Sequence, residues 1–330
     1  MRAAVVNAFG SFDAITIADI PPPVPGAGDV LIDVQAAGVN FADMLVVEGK
    51  YQSLPEPPFV PGKEIAGVVA AVGDGASRFT PGDRVMAYME QGGFAELALA
   101  VEDDCYILPS TMPFKDGASM GINYQTAHFA LNERGRLRGG ESVLINGASG
   151  CVGMASIQLA KAAGATVLAG IRNAEKASLV LDGGADHVID LAADGLREAI
   201  REQVYELTGG RGADVILDTV GGDVFDASLR ALAWSGRIVV IGFVSGRIPT
   251  IPGNYLLIKN ITASGFYWDS YRTRDPKWVR RVQDEFFTLY GTGMIKPPVS
   301  QLVPLENVKE AFSALAGRRA KGRLVLTMDQ

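Results

Sequence analysis

Cysteine is scarce in this sequence: Cys105 and Cys151 are the two thiols in 330 residues. Two thiols do not make a disulfide framework, so a reducing, cytoplasmic compartment is expected. Clustered positive charge is lacking too. The longest basic run is "GRRAKGR" at Gly317 to Arg323, and the formal charge is -7 with a pI of about 5.0. Nucleic acids and anionic membranes both need such clusters, so neither is an expected partner. No stretch approaches the roughly 18 uncharged apolar residues of a membrane span. The opening "MRAAVVNAFG" has too short an apolar run for a signal peptide. Repeats and low-complexity tracts are absent despite 39 glycines and 17 prolines, which fits many tight turns better than disorder.

What is present is enough apolar material for a core, at 48% hydrophobic residues, and a length that predicts about two domains. Up to about residue 120, short apolar segments such as "DVLIDVQAAGV", "GKEIAGVVAAVG" and "GDRVMAYM" alternate with "PPPVPGAGD", "PEPPFVPG" and "FTPGD". Turn signals that frequent predict a twisted antiparallel or barrel-like domain. From about Thr126 the rhythm changes to strands alternating with helices. "SVLING", "TVLAGI", "HVIDL", "ADVILDTV" and "RIVVIG" are separated by a helix from Gly153 to about Ala163, "AEKASLVLDGG", "LREAIREQVYELTGG" and "DVFDASLRALAWSG". That alternation predicts a parallel sheet flanked by helices, an α/β doubly wound domain. "NITASGF" adds a strand, "DPKWVRRVQDEFFTLYGTG" and "NVKEAFSALAGR" add helices, and "GRLVLTM" closes the chain as a strand.

Between Ser142 and Gly164 lies a strand, a glycine turn and a helix, punctuated by Gly147, Gly150 and Gly153. Gly150 would let the backbone approach a pyrophosphate, and Gly153 would let the helix pack close to the strand. The helix start would aim free N–H groups and its positive dipole end at the phosphates. Inside a strand-turn-helix-strand unit these glycines predict a bound dinucleotide; a turn that merely closes the sheet is the bland alternative. The next strand indicates which one. A cofactor without a 2'-phosphate usually meets an acid at that strand's end. Here "VLAGIRNAEK" offers Ile171, Arg172, Asn173 and Lys176, and the two cations suit a phosphate. NADPH is therefore expected over NADH, although Lys176 also reads as a solvated helix residue.

These segments together resemble the zinc-free quinone oxidoreductase branch of the medium-chain dehydrogenase/reductase family. The likeness is carried by "AAGVNFADMLVVEGKY", "PPFVPGKEIAGVVAAVG", "GDRVMAY", "GGFAELA", "INGASGCVG", "GADHVID", "GADVILDTVGG", "GRIVVIGF" and "KGRLVLT", in one order over nearly the whole chain. It implies a GroES-like catalytic domain over residues 1–125 and 265–330, a Rossmann domain over 126–264, and a cofactor in the cleft between them. It places the cofactor turn on Ala148, Ser149, Gly150, Cys151, Val152 and Gly153, with Ala148 in place of the first glycine. Near the nicotinamide it implies Thr126, Val220, Gly221, Gly242 and Phe243. The last four also follow carboxyl ends of parallel strands, the ligand edge of such a sheet. Many members carry a tyrosine after the third strand that helps hold the 2'-phosphate; this chain has Leu191 in that place. Homodimers through the Rossmann domain are a further implication.

The resemblance also bears on metal. Where zinc-dependent relatives have a cysteine and a histidine ligand, this chain has Asn40 and Lys63, and it has no cysteine cluster for a structural zinc. Zinc wants thiolate or imidazole ligands, so no metal is expected and Glu64 reads as structural. Without a Lewis acid, a conjugated acceptor is the natural substrate, because a quinone or an α,β-unsaturated carbonyl spreads the incoming charge onto oxygen. Candidate catalytic groups are Asn40, Tyr51 and Asp43. Each has a plainer alternative: Asn40 as a turn cap, Tyr51 as packing before a proline-rich loop, Asp43 as an acid in a helix's first turn. Phe266 and Trp268 read either as pocket wall or as core. The expected activity is an NADPH-dependent reductase of quinones or activated alkenes. Enoyl or acryloyl thioester reduction and a noncatalytic NADPH-binding role are the alternatives.

Overall fold

The computed structural model describes residues 1–328 and divides the chain into two compact units. The first comprises Met1–Ile122, Pro276–Phe287 and the segment from Pro297 onward; the second comprises Asn123–Asp275 and Thr288–Lys296. Residues 265–275 and 288–296, which the resemblance assigns to the GroES-like domain, thus pack with the second unit.

In the first unit, β1 (Arg2–Val5) and β2 (Thr16–Asp19) form an antiparallel pair. The larger sheet contains β3 (Asp29–Gly38), β4 (Glu64–Val72), β5 (Arg84–Tyr88), β6 (Leu97–Val101) and β7 (Cys105–Ile107). Val30, Ile32 and Val34 of β3 alternate into the core at 1% exposure or less, the period of two that a half-buried strand requires. Each such side chain contributes about 1.5–3 kcal/mol by leaving water. Phe59, Phe79, Phe94 and Phe312 fill the same core.

In the second unit, β8 (Ser142–Asn146), β9 (Thr166–Ile171), β10 (His187–Asp190), β11 (Ala213–Asp218), β12 (Leu232–Val240) and β13 (Thr262–Gly265) form a wholly parallel sheet. Their spatial order is β10-β9-β8-β11-β12-β13, the doubly wound order whose switch point lies between β8 and β11. Every residue of β8 is buried, as helices on both faces demand. The chain returns to the first unit with β14 (Val299–Pro304) and β15 (Arg323–Thr327). β14 pairs parallel to β15, which pairs antiparallel to β3 and so completes a six-strand path, with β6 attached beside β3 as the seventh strand of the sheet.

One element differs from the sequence reading. The helix expected through "DVFDASLRALAWSG" ends at Ala231, and Leu232 already pairs with Ala213 as the start of β12. The strand absorbs the extra residues by a register shift beside β11, with Ser235 at φ 62°.

Candidate active site

The glycine turn sits at the carboxyl end of β8. Gly147 takes φ +76°, a region glycine enters without penalty, so the sharp reversal is made one residue before Ala148. The Gly147 and Ala148 N–H groups both donate to the Gly170 carbonyl at 3.0 Å, tying the turn to β9. The helix Cys151–Ala162 follows, and Gly150 at its N-cap offers no side-chain cap. The first N–H groups of that helix have no carbonyl one turn earlier to bond. A Cβ on Gly153 would lie 2.5 Å from the carbonyls of Gly147 and Ala148, so the close helix start requires glycine. Gly150 is different: it is exposed, and its Cβ would meet only the Gly147 carbonyl, at 3.3 Å. That single backbone contact is tight but far looser than at Gly153, and the rest of the space around the position is open to a phosphate. The donor set and the cradle fit a dinucleotide pyrophosphate. Ser149, Cys151 and Val152 are half-buried around the same turn.

At the end of β9, Ile171 is buried, Arg172 is exposed and Lys176 is half-buried. Burial pushes the Lys176 ammonium below its ordinary value, a penalty that an anion beside it would relieve. Leu191 is 2% exposed and packs near Gly170, leaving no polar group at that position.

Across the switch point Asn146 and Asp218 are register partners. Asn146 Nδ2 donates to Asp218 Oδ1 at 2.8 Å and to Ser228 Oγ at 2.9 Å, and the Gly221 N–H donates to Asp218 Oδ2 at 2.8 Å. Desolvation pushes the Asp218 carboxyl up to about 6 against the pull of Asn146, Gly221 and Val220. Asp218 thereby sets the turn that carries Val220 and Gly221, the latter at φ +70°. Gly242 is half-buried, Phe243 is 40% exposed and Thr126 is buried in the helix Ile122–His128. Phe266 stacks on Phe129 with ring centroids 6.1 Å apart and lies 5.4 Å from Tyr271, while Trp268 is buried at 8% exposure. Both side chains belong to the packing of the second unit.

The first unit holds the other candidates in one buried polar cluster. Asn40 precedes the helix Phe41–Val47, and its backbone N–H donates to Asp43 Oδ2 at 2.8 Å, tying down the first turn. Both ends of the Asn40 amide are engaged: Nδ2 donates to Glu64 Oε1 at 3.0 Å, and Oδ1 accepts from Arg323 Nη1 at 2.8 Å. Arg323 also forms a salt bridge with Glu64, and the Ile122 N–H donates to the other Glu64 oxygen at 3.0 Å. Glu64 and Arg323 are 0% and 2% exposed. A Cβ on Gly38 would collide with the guanidinium and one on Gly121 with the carboxylate, so both glycines make room for the pair. Asp43 is 1% exposed with Oδ1 unpartnered, and burial pushes its carboxyl up to about 6, against the Asn40 N–H, Lys63 and Arg323. Tyr51 is half-buried on the core, with the Lys63 ammonium 5.1 Å from its ring centroid.

Arg323 escaped the sequence reading. In "KGRLVLT" it looks like a polar flank of a strand, and only the antiparallel pairing of β15 with β3 carries it to Asn40. Among the described residues, no three His, Cys, Asp or Glu side chains converge as a metal-binding group.

A GroES-like unit combined with a Rossmann unit of this topology defines a medium-chain dehydrogenase/reductase. Residues 26–110 match the family described as alcohol dehydrogenase GroES-like domain, and residues 151–283 the one described as zinc-binding dehydrogenase. The quinone oxidoreductase-like protein 2 homolog of Nematostella vectensis is 39% identical over 307 residues, 92% of this chain and 83% of that protein. A mycobacterial protein solved in complex with NADPH superposes with a TM-score of 0.92 at 32% identity, covering 99% of each chain. Escherichia coli quinone oxidoreductase complexed with NADPH gives a TM-score of 0.91 at 27% identity, covering 99% of this chain and 100% of that one. The chain belongs to the zinc-independent quinone oxidoreductase branch of the medium-chain dehydrogenase/reductase family. Among the described residues no helix is long and apolar enough to cross a membrane.

Proposed function

We propose that the chain is an NADPH-dependent reductase that delivers hydride to a quinone or an activated alkene. The observation that carries this is the glycine cradle at the switch point, followed by cations rather than an acid at the end of β9. When bound, NADPH would supply a hydride, that is two electrons and one proton, from nicotinamide C4. The N–H groups at the start of helix Cys151–Ala162 would hold the pyrophosphate, Arg172 and Lys176 would take the 2'-phosphate, and Val220, Gly221, Gly242, Phe243 and Thr126 would border the nicotinamide. The Tyr51 hydroxyl donates to the acceptor oxygen as charge accumulates there. Asn40 and Asp43 act through the chain they hold, since the Asn40 amide already pairs with Glu64 and Arg323. The product takes its remaining proton from solvent, on oxygen for a hydroquinone or on carbon for a saturated ketone.

The deciding experiment is anaerobic turnover of quinones, enones and enoyl thioesters with stereospecifically deuterated NADPH. Deuterium on carbon in an enone product is the expected result. NADPH binding without oxidation by any acceptor would replace the reductase reading with a binding role, and turnover confined to thioesters would reassign the substrate. The reading includes a homodimer through the Rossmann unit. β13 lies at a sheet edge there, and Trp234, Ile248, Leu257 and Ile258 are 75%, 68%, 79% and 73% exposed. Sedimentation equilibrium returning a monomer would remove that part.

A further inference from the structure

Lys63 buries an ammonium group that makes no salt bridge to a buried carboxylate. The residue is 8% exposed, whereas lysine is seldom buried unless paired. Its Nζ donates to the Glu90 carbonyl at 3.1 Å and to Glu90 Oε2 at 3.3 Å. The Glu90 side chain is 48% exposed, so water screens that ion pair and it compensates little of the burial. Glu64, the next residue and fully buried, is taken by Arg323 and Asn40. Asp43 is within electrostatic reach, but its Oδ2 is held by the Asn40 N–H and its Oδ1 has no hydrogen-bond partner, so the two groups make no salt bridge. What the ammonium faces instead is the ring of Tyr51, 5.1 Å away at the centroid. A methionine would fill the same volume without the cost of burying a charge. Stability of the fold is therefore not a sufficient reason for a lysine here.

We propose that Lys63 is a positioning residue for the reduction, acting through Tyr51. Its fixed charge holds the ring by a cation–π contact and draws electron density from it. The Tyr51 hydroxyl then donates more strongly to an acceptor oxygen that is gaining negative charge. Lys63 is buried and Tyr51 half-buried, so the ammonium's field at the ring is screened less than between two exposed groups. The benefit is greatest once hydride has brought two electrons to the acceptor and smallest for the neutral acceptor before transfer, so it falls on turnover rather than on binding. Lys63 gives up no proton in this role; the product's proton still comes from solvent. The inference rests on the assignment of Tyr51 above and goes beyond it by naming the charge that drives its donation.

The test is single-turnover oxidation of NADPH by 1,4-naphthoquinone in the parent protein, Lys63→Met, Lys63→Gln, Lys63→Arg, Tyr51→Phe and the double variant Tyr51→Phe/Lys63→Met. Both neutral variants should slow hydride transfer about tenfold, the scale of one desolvated cation–π contact. Acceptor KM and NADPH affinity should change less than about twofold, because uniform binding is not what is lost. Lys63→Arg should restore most of the rate, and the double variant should be no slower than Tyr51→Phe alone. Neutral variants as fast as the parent would overturn the inference. Losses that multiply in the double variant would do the same, as would losses that track lowered thermal stability or NADPH affinity. An inactive parent would instead sink the reductase reading, and this inference with it.

Discussion

The Rossmann unit and the N-terminal unit build their polar surfaces in opposite ways. In the former, the candidate phosphate site is backbone: a reversal at Gly147, a helix start at Cys151, and glycines where a Cβ would intrude. Its parts lie within seven consecutive residues. In the latter, Asn40 meets Glu64 from 24 positions away and Arg323 from 283 positions away, all by side-chain atoms. A backbone site is indifferent to most side-chain changes and sensitive to a few glycines. A side-chain network fails as a whole when one charge is removed, because the remaining charge is left buried. Mutations should therefore show themselves differently in the two units, as lost binding in one and lost stability in the other.

Removing Arg323 is the strongest attack on that difference. Arg323→Met leaves the Glu64 carboxylate buried without its cation and should cost about 3–5 kcal/mol, read as a fall in the unfolding midpoint. Arg323→Met/Glu64→Met should recover most of the loss, since apolar replacement of both partners removes the stranded charge. NADPH affinity measured well below the midpoint should hardly change. A matching collapse of affinity would show that the two surfaces are not separable in this way.

Each unit also contains one buried carboxyl pushed up to about 6, Asp43 in the first and Asp218 in the second. Desolvation leads in both. For Asp43 the ordinary value is 3.8, so the folded state holds its proton more tightly than the unfolded chain does. Its contribution to stability is full below 3.8 and is lost as the pH rises through about 6. Asp43→Asn keeps an acceptor for the Asn40 N–H and removes the charge. The stability of Asp43→Asn relative to the parent should therefore rise between pH 4 and pH 7, by about 2 kcal/mol. Denaturation at both pH values measures it, and a flat difference would mean that Asp43 is not a buried ionising group.

Much of the Rossmann unit was legible because its signals are local. The helix Leu196–Leu207 buries Ile200 and Val204, one turn apart, and β8 is an unbroken apolar run. The strand β14 went unread because Val303 is its one buried residue, so no alternation marks it, and Val303 pairs with Leu326, 23 positions further on. The helix Gly253–Lys259 has no fully buried residue, and its Leu257 and Ile258 are exposed while Tyr255 and Leu256 are only partly covered, so no clean apolar face marks it. The site follows the same division. Gly150, Gly153 and Arg172 could be picked out from neighbours in the chain, whereas the engagement of Asn40 by Arg323 depends on a strand pairing that no local pattern encodes. Asn40 in isolation reads as a donor or as a turn cap, and in the structure it precedes a helix with its amide already bonded.

The smallest expected effect concerns the one part of the backbone-built site that does rely on side chains. Leu191 is buried and apolar, so under the proposed function recognition of a 2'-phosphate would fall to Arg172 and Lys176. Arg172 is exposed, and solvent screening weakens any single charge contact it makes. Lys176 is half-buried with its ammonium destabilised by desolvation, which makes a nearby dianion more favourable to it. The parent protein should bind NADPH more tightly than NADH in isothermal titration. Arg172→Ala should reduce that preference roughly tenfold, the scale of one charge-assisted hydrogen bond after screening. NADH affinity should stay the same, because NADH offers no 2'-phosphate to lose. Raising the ionic strength should narrow the preference in the parent more than in the variant. Equal affinities in the parent would sink the NADPH assignment. A preference that survives Arg172→Ala but disappears in Lys176→Ala would shift the phosphate contact from the exposed cation to the half-buried one.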